Sequence, residues 1–177
     1  MKKNVLIFGS ISGLTISILM AISTTIFCGA DNYEGSMLVG YATMLIAFAF
    51  IFVGIKNYRD KYNEGVITFG KAFKVGLFIA LISSTFYVIT WLIEYYFFMP
   101  DFMDKYAEHM ISEAQKAGAS AAEIAKQTAE MQGYKDMYKN PVFVILFTYM
   151  EILPLGLVIS LIAAAIFRRK QKPQVIA

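Results

Sequence analysis

The chain has 177 residues, of which 58% are hydrophobic and only 16% are charged, and its formal net charge is +3. A soluble domain usually has about 25% charged and about 45–50% apolar residues, so this composition places the chain in the membrane class. We expect a single domain over residues 1–177, because the length leaves no room for a second sizeable soluble domain. The basic residues form no stripe with interleaved aromatic residues, so we expect no nucleic-acid partner.

Four apolar runs, at residues 4–28, 36–55, 75–99 and 142–167, approach or exceed the length of about 20 residues that a helix needs to cross a bilayer. Lipid offers no partners to free backbone groups, so each run is predicted to be a transmembrane helix. The first run follows Lys2 and Lys3, as a signal peptide would, but it is longer than the usual apolar core of about 7–15 residues. We therefore expect it to be retained, with Cys28 as an inert thiol near its end.

The distribution of basic residues predicts the topology. Eleven of the sixteen lysines and arginines lie before the first run, between the second and third runs, or after the fourth. Lysine and arginine mark cytoplasmic segments, so both termini are predicted to be cytoplasmic. Glu94, at the opposite end of the third run and beside a cluster of aromatic residues, is expected to be an interfacial acid.

The segment at 101–133 is predicted to form an external helical hairpin between the third and fourth membrane helices. Apolar residues recur at helical spacing in its first half, and Gly118 then interrupts the pattern. Ser120 with Glu123 three residues later fits a capping box that opens a second helix. The hairpin is interpreted either as a solvated connector with a weakly apolar underside or as a lid or docking site for a partner.

Glu151 is the most unusual residue of the fourth run, because it lies near the predicted membrane midplane. An ionised acid at that depth costs at least about 2.5–3.5 kcal/mol. Pro154, three residues later, disrupts the local helix ladder. One hypothesis makes Glu151 an intramembrane site sensitive to protons or cations. The alternative is a protonated carboxyl group that holds two helices together by bonding a hydroxyl group. The candidate hydroxyl groups are those of Ser83, Ser84, Thr85 and Tyr87.

Small residues recur at four-residue spacing in the first and fourth runs, at Gly9 and Gly13 and at Gly156 and Ser160. Such spacing lets membrane helices approach closely. It is explained by packing within the chain, and self-assembly would use the same feature.

We expect no catalytic residues, no cofactor-binding residues and no metal site. The sequence has no HExxH motif, no phosphate-binding glycine loop and no Ser/His/Asp arrangement. His109 and Glu113 share a helix face, but two ligands are too few for a closed metal site.

Several segments carry a family resemblance that covers nearly the whole chain. They are Gly40-Tyr41, FVGIKNYR at 52–59, ITFGKAFKVG at 67–76, and Glu151 with Pro154, Gly156 and the basic tail. With these features the chain resembles a bacterial family of small four-helix membrane proteins, domain of unknown function 4199. The resemblance implies a bacterial inner-membrane location and no particular reaction.

The leading prediction is a non-enzymatic accessory or structural protein of the inner membrane, in contact with the lipid bilayer. It assembles either with itself or with another membrane protein. The alternative is a small oligomeric transporter or channel that works through Glu151. A continuous polar cavity reaching Glu151 would favour transport, and a dry, close-packed centre would favour the accessory role.

Overall fold

The computed structural model describes residues 1–27 and 33–169, and helices account for most of that part of the chain. Its α-helices are α1 (Lys2–Phe27), α2 (Tyr33–Tyr62), α3 (Phe69–Ile93), α4 (Phe102–Lys116), α5 (Ala121–Tyr138) and α6 (Pro141–Phe167), and a π-helical turn (Glu94–Phe98) continues α3. Four stretches are long and apolar enough to cross a membrane: Lys2–Ile26, Leu38–Tyr62, Phe69–Phe98 and Pro141–Phe167. The predicted all-α membrane fold, with a helical hairpin (α4–α5) between the third and fourth spans, is confirmed. Cys28, the predicted end of the first helix, lies outside the described residues.

Helices α2, α3 and α5 extend beyond the boundaries predicted for them. Helix α2 continues to Tyr62 rather than ending at residue 55, because helical hydrogen bonding does not stop where the hydrocarbon stops. Helix α3 begins at Phe69 rather than residue 75, where the Thr68 side chain caps it by accepting a bond from the Lys71 N–H. Helix α5 runs to Tyr138 rather than 133, and keeps Gly133 within it.

The two ends of the bundle differ. We call the end that carries α4–α5 the hairpin end, and the opposite end, where α1 begins and α6 stops, the terminal end. At the terminal end Ile67 and Arg169 exchange two backbone hydrogen bonds, of 3.0 and 2.9 Å. The Arg59 guanidinium lies 5.4 Å from the centre of the Phe167 ring. These contacts tie the α2–α3 connection to the end of α6.

The four small residues singled out in the sequence all lie against α3. A Cβ atom added at Gly9 would be 2.9 Å from the Cβ of Ile82, and one added at Gly156 would be 2.9 Å from the Cβ of Ala80. A Cβ atom added at Gly13 would be 2.5 Å from Cγ of Phe86, and Ser160 lies against Gly76. The close approach of α1 and α6 to α3 within one chain therefore uses these positions.

Hydroxyl groups connect α1 to its neighbours. The Ser12 hydroxyl donates to the carbonyl oxygen of Ala47 on α2 at 2.7 Å and also lies 2.9 Å from Oγ of Ser83 on α3. Nearer the hairpin end, Thr90 Oγ1 lies 2.7 Å from Ser17 Oγ. Interhelical bonds of this kind hold membrane bundles together because lipid gives helices no hydrophobic drive to associate.

Candidate functional site

A cavity of about 590 Å³ lies between the hairpin end of the membrane helices and the hairpin itself. All six α-helices contribute to its wall. Pockets that bind small organic molecules are typically about 300–1,000 Å³, so this cavity is large enough for such a ligand. The lining residues Tyr41 and Tyr134 are 52% and 44% exposed.

The lining combines aromatic rings, hydroxyl groups, thioethers and a carboxyl group. Its aromatic members are Tyr41, Tyr87, Trp91, Phe102, Tyr106, Tyr134 and Tyr138. Its other polar side chains are Ser23, Thr24, Thr43, Thr148 and Glu151, and its thioethers are those of Met20, Met103 and Met131. Among the lining residues that the structure describes, Glu151 carries the one carboxyl group, and there is no lysine, arginine or histidine.

Helix α6 positions Glu151 deep in the wall. The helix begins at Pro141, and the Asn140 side chain caps it by accepting the Val142 N–H at 3.0 Å. At 1.5 Å per residue, Glu151 lies about 15 Å along the helix. Its carboxyl group interacts with the hydroxyl group of Tyr87 on α3, one of the four hydroxyl groups that the sequence suggested. The side chain is exposed on the cavity wall and is not sealed in the core.

Glu151 also acts on the hairpin across the cavity. Burial, and secondly the charge of Glu151, raise the pKa of Tyr138 to about 12. The Tyr138 hydroxyl is therefore neutral and able to donate a hydrogen bond at physiological pH.

Helix α6 stays continuous through Pro154, which lacks an N–H, so the carbonyl group of Met150 one turn earlier has no helical donor.

Glu94 is buried, and the prediction of an interfacial acid was wrong. Its side chain is only 6% exposed, and the Thr24 hydroxyl of α1 donates to Oε2 at 2.8 Å. Among the described residues Oε1 has no hydrogen-bond partner. The reason is that α1 packs over this position, so a side chain of α1 and not water supplies the donor. Because Thr24 lines the cavity, Glu94 lies directly behind the cavity wall.

The hairpin forms the roof of the cavity. Aromatic rings fix it to the bundle: Trp91 meets Phe102 edge to face at 4.9 Å, and Tyr138 stacks on Phe147 at 6.0 Å. Helix α4 buries Met103 and Ala107, whereas α5 buries none of its described residues. The predicted capping box between Ser120 and Glu123 is confirmed. The hairpin therefore lies over the cavity and contributes to its wall through α4 and α5.

The core closes the cavity toward the terminal end. Phe48, Ile79 and Ile152 are fully buried there. A Cβ atom added at Gly156 would lie 2.9 Å from Phe48 Cζ. The cavity is therefore a one-sided pocket that reaches Glu151, with a close-packed layer beneath it.

Sequence reasoning identified Glu151 and named Tyr87 among its possible partners, but it missed the other side chains that line the cavity. The available signal was the number of aromatic residues near the ends of the third and fourth spans, among them Trp91, Tyr134 and Tyr138. The spacing predicted a helical hairpin but not which of its side chains contact the bundle. Within the described ranges, no group of three or more potential metal ligands is brought together.

Comparison with known families gives one match. The family model described as "Protein of unknown function (DUF4199)" matches residues 7–169, which is most of the chain. No curated protein and no solved structure matches the chain.

Proposed function

Because the chain belongs to the DUF4199 family, whose description names no activity, we propose a function from the geometry of its cavity. The protein binds a small organic molecule in the hairpin-end cavity, with Glu151 as the polar anchor. It acts as a non-enzymatic accessory protein of the bacterial inner membrane. The observation that carries this proposal is the pocket of about 590 Å³ that ends at an acidic side chain within the membrane span.

The lining supports binding over catalysis. Nucleophilic catalysis needs a nucleophile, an adjacent base and a group that orients the base. The carboxyl group of Glu151 has the hydroxyl group of Tyr87 as its neighbour, and both groups line the cavity, where they can form hydrogen bonds with a bound molecule.

The distribution of basic residues supports one orientation of the chain in the membrane. The terminal end carries basic side chains in α2 and α3, among them Lys56, Arg59, Lys71 and Lys74. Positive charge is retained on the cytoplasmic side. Both termini are therefore proposed to be cytoplasmic, and the cavity then opens on the outer face of the membrane.

The proposed surroundings are the lipid bilayer and a second membrane protein or further copies of this chain. Large apolar side chains such as Leu6, Ile18, Leu45 and Ile162 are about half exposed on the spans, as contact with lipid requires. Gly9, Gly13, Gly156 and Ser160 are already used within the chain, so an assembly would use other helix faces.

Transport is the second candidate, and the observation that favours it is that the cavity reaches Glu151. A carrier would also need a conformation open at the terminal end, through the layer around Phe48 and Ile152. A pH-sensitive dye sealed in proteoliposomes tests for coupled proton movement. A flux that Glu151→Gln abolishes would establish transport and replace the accessory role.

Trp91 provides the test of binding, because it is the only tryptophan of the chain and lines the cavity. The probe is neutral 2-methyl-1-phenyl-2-propanol, titrated into protein in lipid nanodiscs while tryptophan emission is recorded. We expect a saturable change that Ser23→Phe, which fills the cavity, removes. The matched variant Ile22→Phe adds the same ring to the lipid-facing side of α1 and should leave the change intact. A response that never saturates, or that both variants retain, would refute the cavity as a binding site.

A further inference from the structure

We propose that the hairpin-end cavity selects an organic cation, an ammonium group bearing apolar substituents, over neutral and anionic molecules of the same shape. This inference rests on the proposed binding function and adds the chemical class of the ligand. It combines three observations: the charge inside the cavity, the charge behind its wall, and the ring-rich lining.

The ionisable chemistry of the cavity is acidic. Glu151 carries the one carboxyl group among the described lining residues, which include no lysine, arginine or histidine, and in its ionised form this group is a carboxylate. An anionic ligand would meet this carboxylate without a compensating cation. A neutral ligand would leave the carboxylate unpaired in a site where water is partly excluded, which costs free energy.

A second carboxyl group strengthens this field. Glu94 lies behind the wall, bonded to the cavity-lining Thr24. Both Glu94 and Glu151 act electrostatically on the hydroxyl group of Tyr87, so both acids lie near it. A cation placed near Tyr87 is attracted by both groups.

The basic residues of the hairpin do not offset this field, because each is matched by an acid of the same hairpin. Its five lysines form ion pairs, which are Lys105–Asp101, Lys116–Glu113, Lys126–Glu130, Lys135–Asp104 and Lys139–Asp136. The lysine partners hold the pKa values of Asp101, Glu113 and Asp136 below their usual range. Residues 101–139 hold seven acids and five lysines, so the hairpin adds no excess positive charge above the cavity.

The aromatic rings of the lining indicate which chemical class of cation fits the cavity. Trp91, Tyr87 and Tyr106 belong to a set of seven aromatic side chains in the lining. Aromatic faces attract ammonium groups, most strongly where water is excluded. A small inorganic cation instead prefers several oxygen ligands, and the described residues bring no such acidic cluster together. Rings, thioethers and an isolated carboxyl group fit an alkylated ammonium.

The test uses three probes of nearly the same shape and different charge on unmodified protein in nanodiscs of neutral lipid. They are benzyltrimethylammonium, 2-methyl-1-phenyl-2-propanol and phenylmethanesulfonate, each followed by Trp91 fluorescence. We expect the cation to bind about tenfold or more tightly than the alcohol, and the sulfonate to bind most weakly. Glu151→Gln should reduce cation affinity about tenfold and leave alcohol affinity unchanged. Glu108→Gln, the same change on the exposed face of α4 outside the cavity, should alter neither.

The outcomes separate the two proposals. Saturable binding of all three probes with equal affinity would overturn cation selection and leave the binding function intact. Binding of none of them would overturn both. The comparison of probes on the unmodified protein does not depend on whether Glu151→Gln folds, so a poorly folded variant leaves the proposal testable.

Discussion

Replacing Gly156 with alanine should destabilise the protein by forcing α3 and α6 apart. The added Cβ would lie 2.9 Å from the Cβ of Ala80 and 2.9 Å from Cζ of Phe48. The Phe48 ring can rotate, but the Cβ of Ala80 is fixed to its backbone, so the helices themselves must shift. Overpacking of this kind costs about 1–3 kcal/mol. For a chain of this size that corresponds to a fall of about 2–12 °C in the midpoint of thermal unfolding.

The assay heats purified protein in detergent and measures the folded fraction by size-exclusion chromatography. Gly40→Ala is the matched control within a membrane span, because no atom lies within 4 Å of the added carbon. The double variant Gly156→Ala with Ala80→Gly relieves the contact. Its loss of stability should be smaller than the sum of the two single losses by about 0.5 kcal/mol or more. A Gly156→Ala protein as stable as the Gly40→Ala control would refute the close approach of α3 and α6.

Three further predictions concern the bonds that hold α1 and the hairpin in place. Ser12→Ala removes the bond to the Ala47 carbonyl and should cost about 0.6–1.7 kcal/mol, measured by the same thermal assay; no change would show that this bond contributes nothing. Ser120→Ala removes the capping box and should lower the stability of α5 by about 0.5–2 kcal/mol. Hydrogen exchange should show faster exchange of the backbone amides in α5, while the amides of the membrane helices stay protected. Tyr138 has a pKa raised from 10.0 to about 12, so its neutral form stabilises the docked hairpin below pH 10, and that contribution is lost as the pH rises toward 12. Limited proteolysis of the hairpin should increase over that range, and Tyr138→Phe, which cannot ionise, should suppress the increase.

The membrane fold was predictable because one physical constraint dominates it. A backbone in lipid must satisfy its own hydrogen bonds, so an apolar run as long as 142–167 can only be a helix, and α6 was found within one residue of that prediction. The ends in water were predicted less well, because polar residues there are compatible with both helix and loop. The extension of α2 to Tyr62 follows from this, since Lys56 and Arg59 are good helix formers outside the hydrocarbon.

The candidate site was only partly predictable, because a cavity depends on how distant segments meet. The position of Glu151 in a span marks it as unusual from sequence alone. Its partner Tyr87 is one of several hydroxyl groups at compatible depth, and only the register of α3 against α6 selects it. Glu94 was misplaced for a similar reason, since spacing along α3 does not show that α1 covers that position. The roof depends on contacts such as Trp91 with Phe102, which no periodicity encodes.

We expect position 151 to be reached from the hairpin end of the bundle and not from the terminal end. Labelling a cysteine at position 151 from each side of the membrane tests this expectation most directly. Glu151→Cys is placed in a Cys28→Ser background, in sealed right-side-out and inside-out vesicles, and treated with a membrane-impermeant maleimide. Ala163→Cys, at a fully buried position of the same helix, is the control. We expect labelling of Glu151→Cys in right-side-out vesicles only, and none of Ala163→Cys in either preparation. Labelling of Glu151→Cys from the inside, or from neither side, would contradict the account.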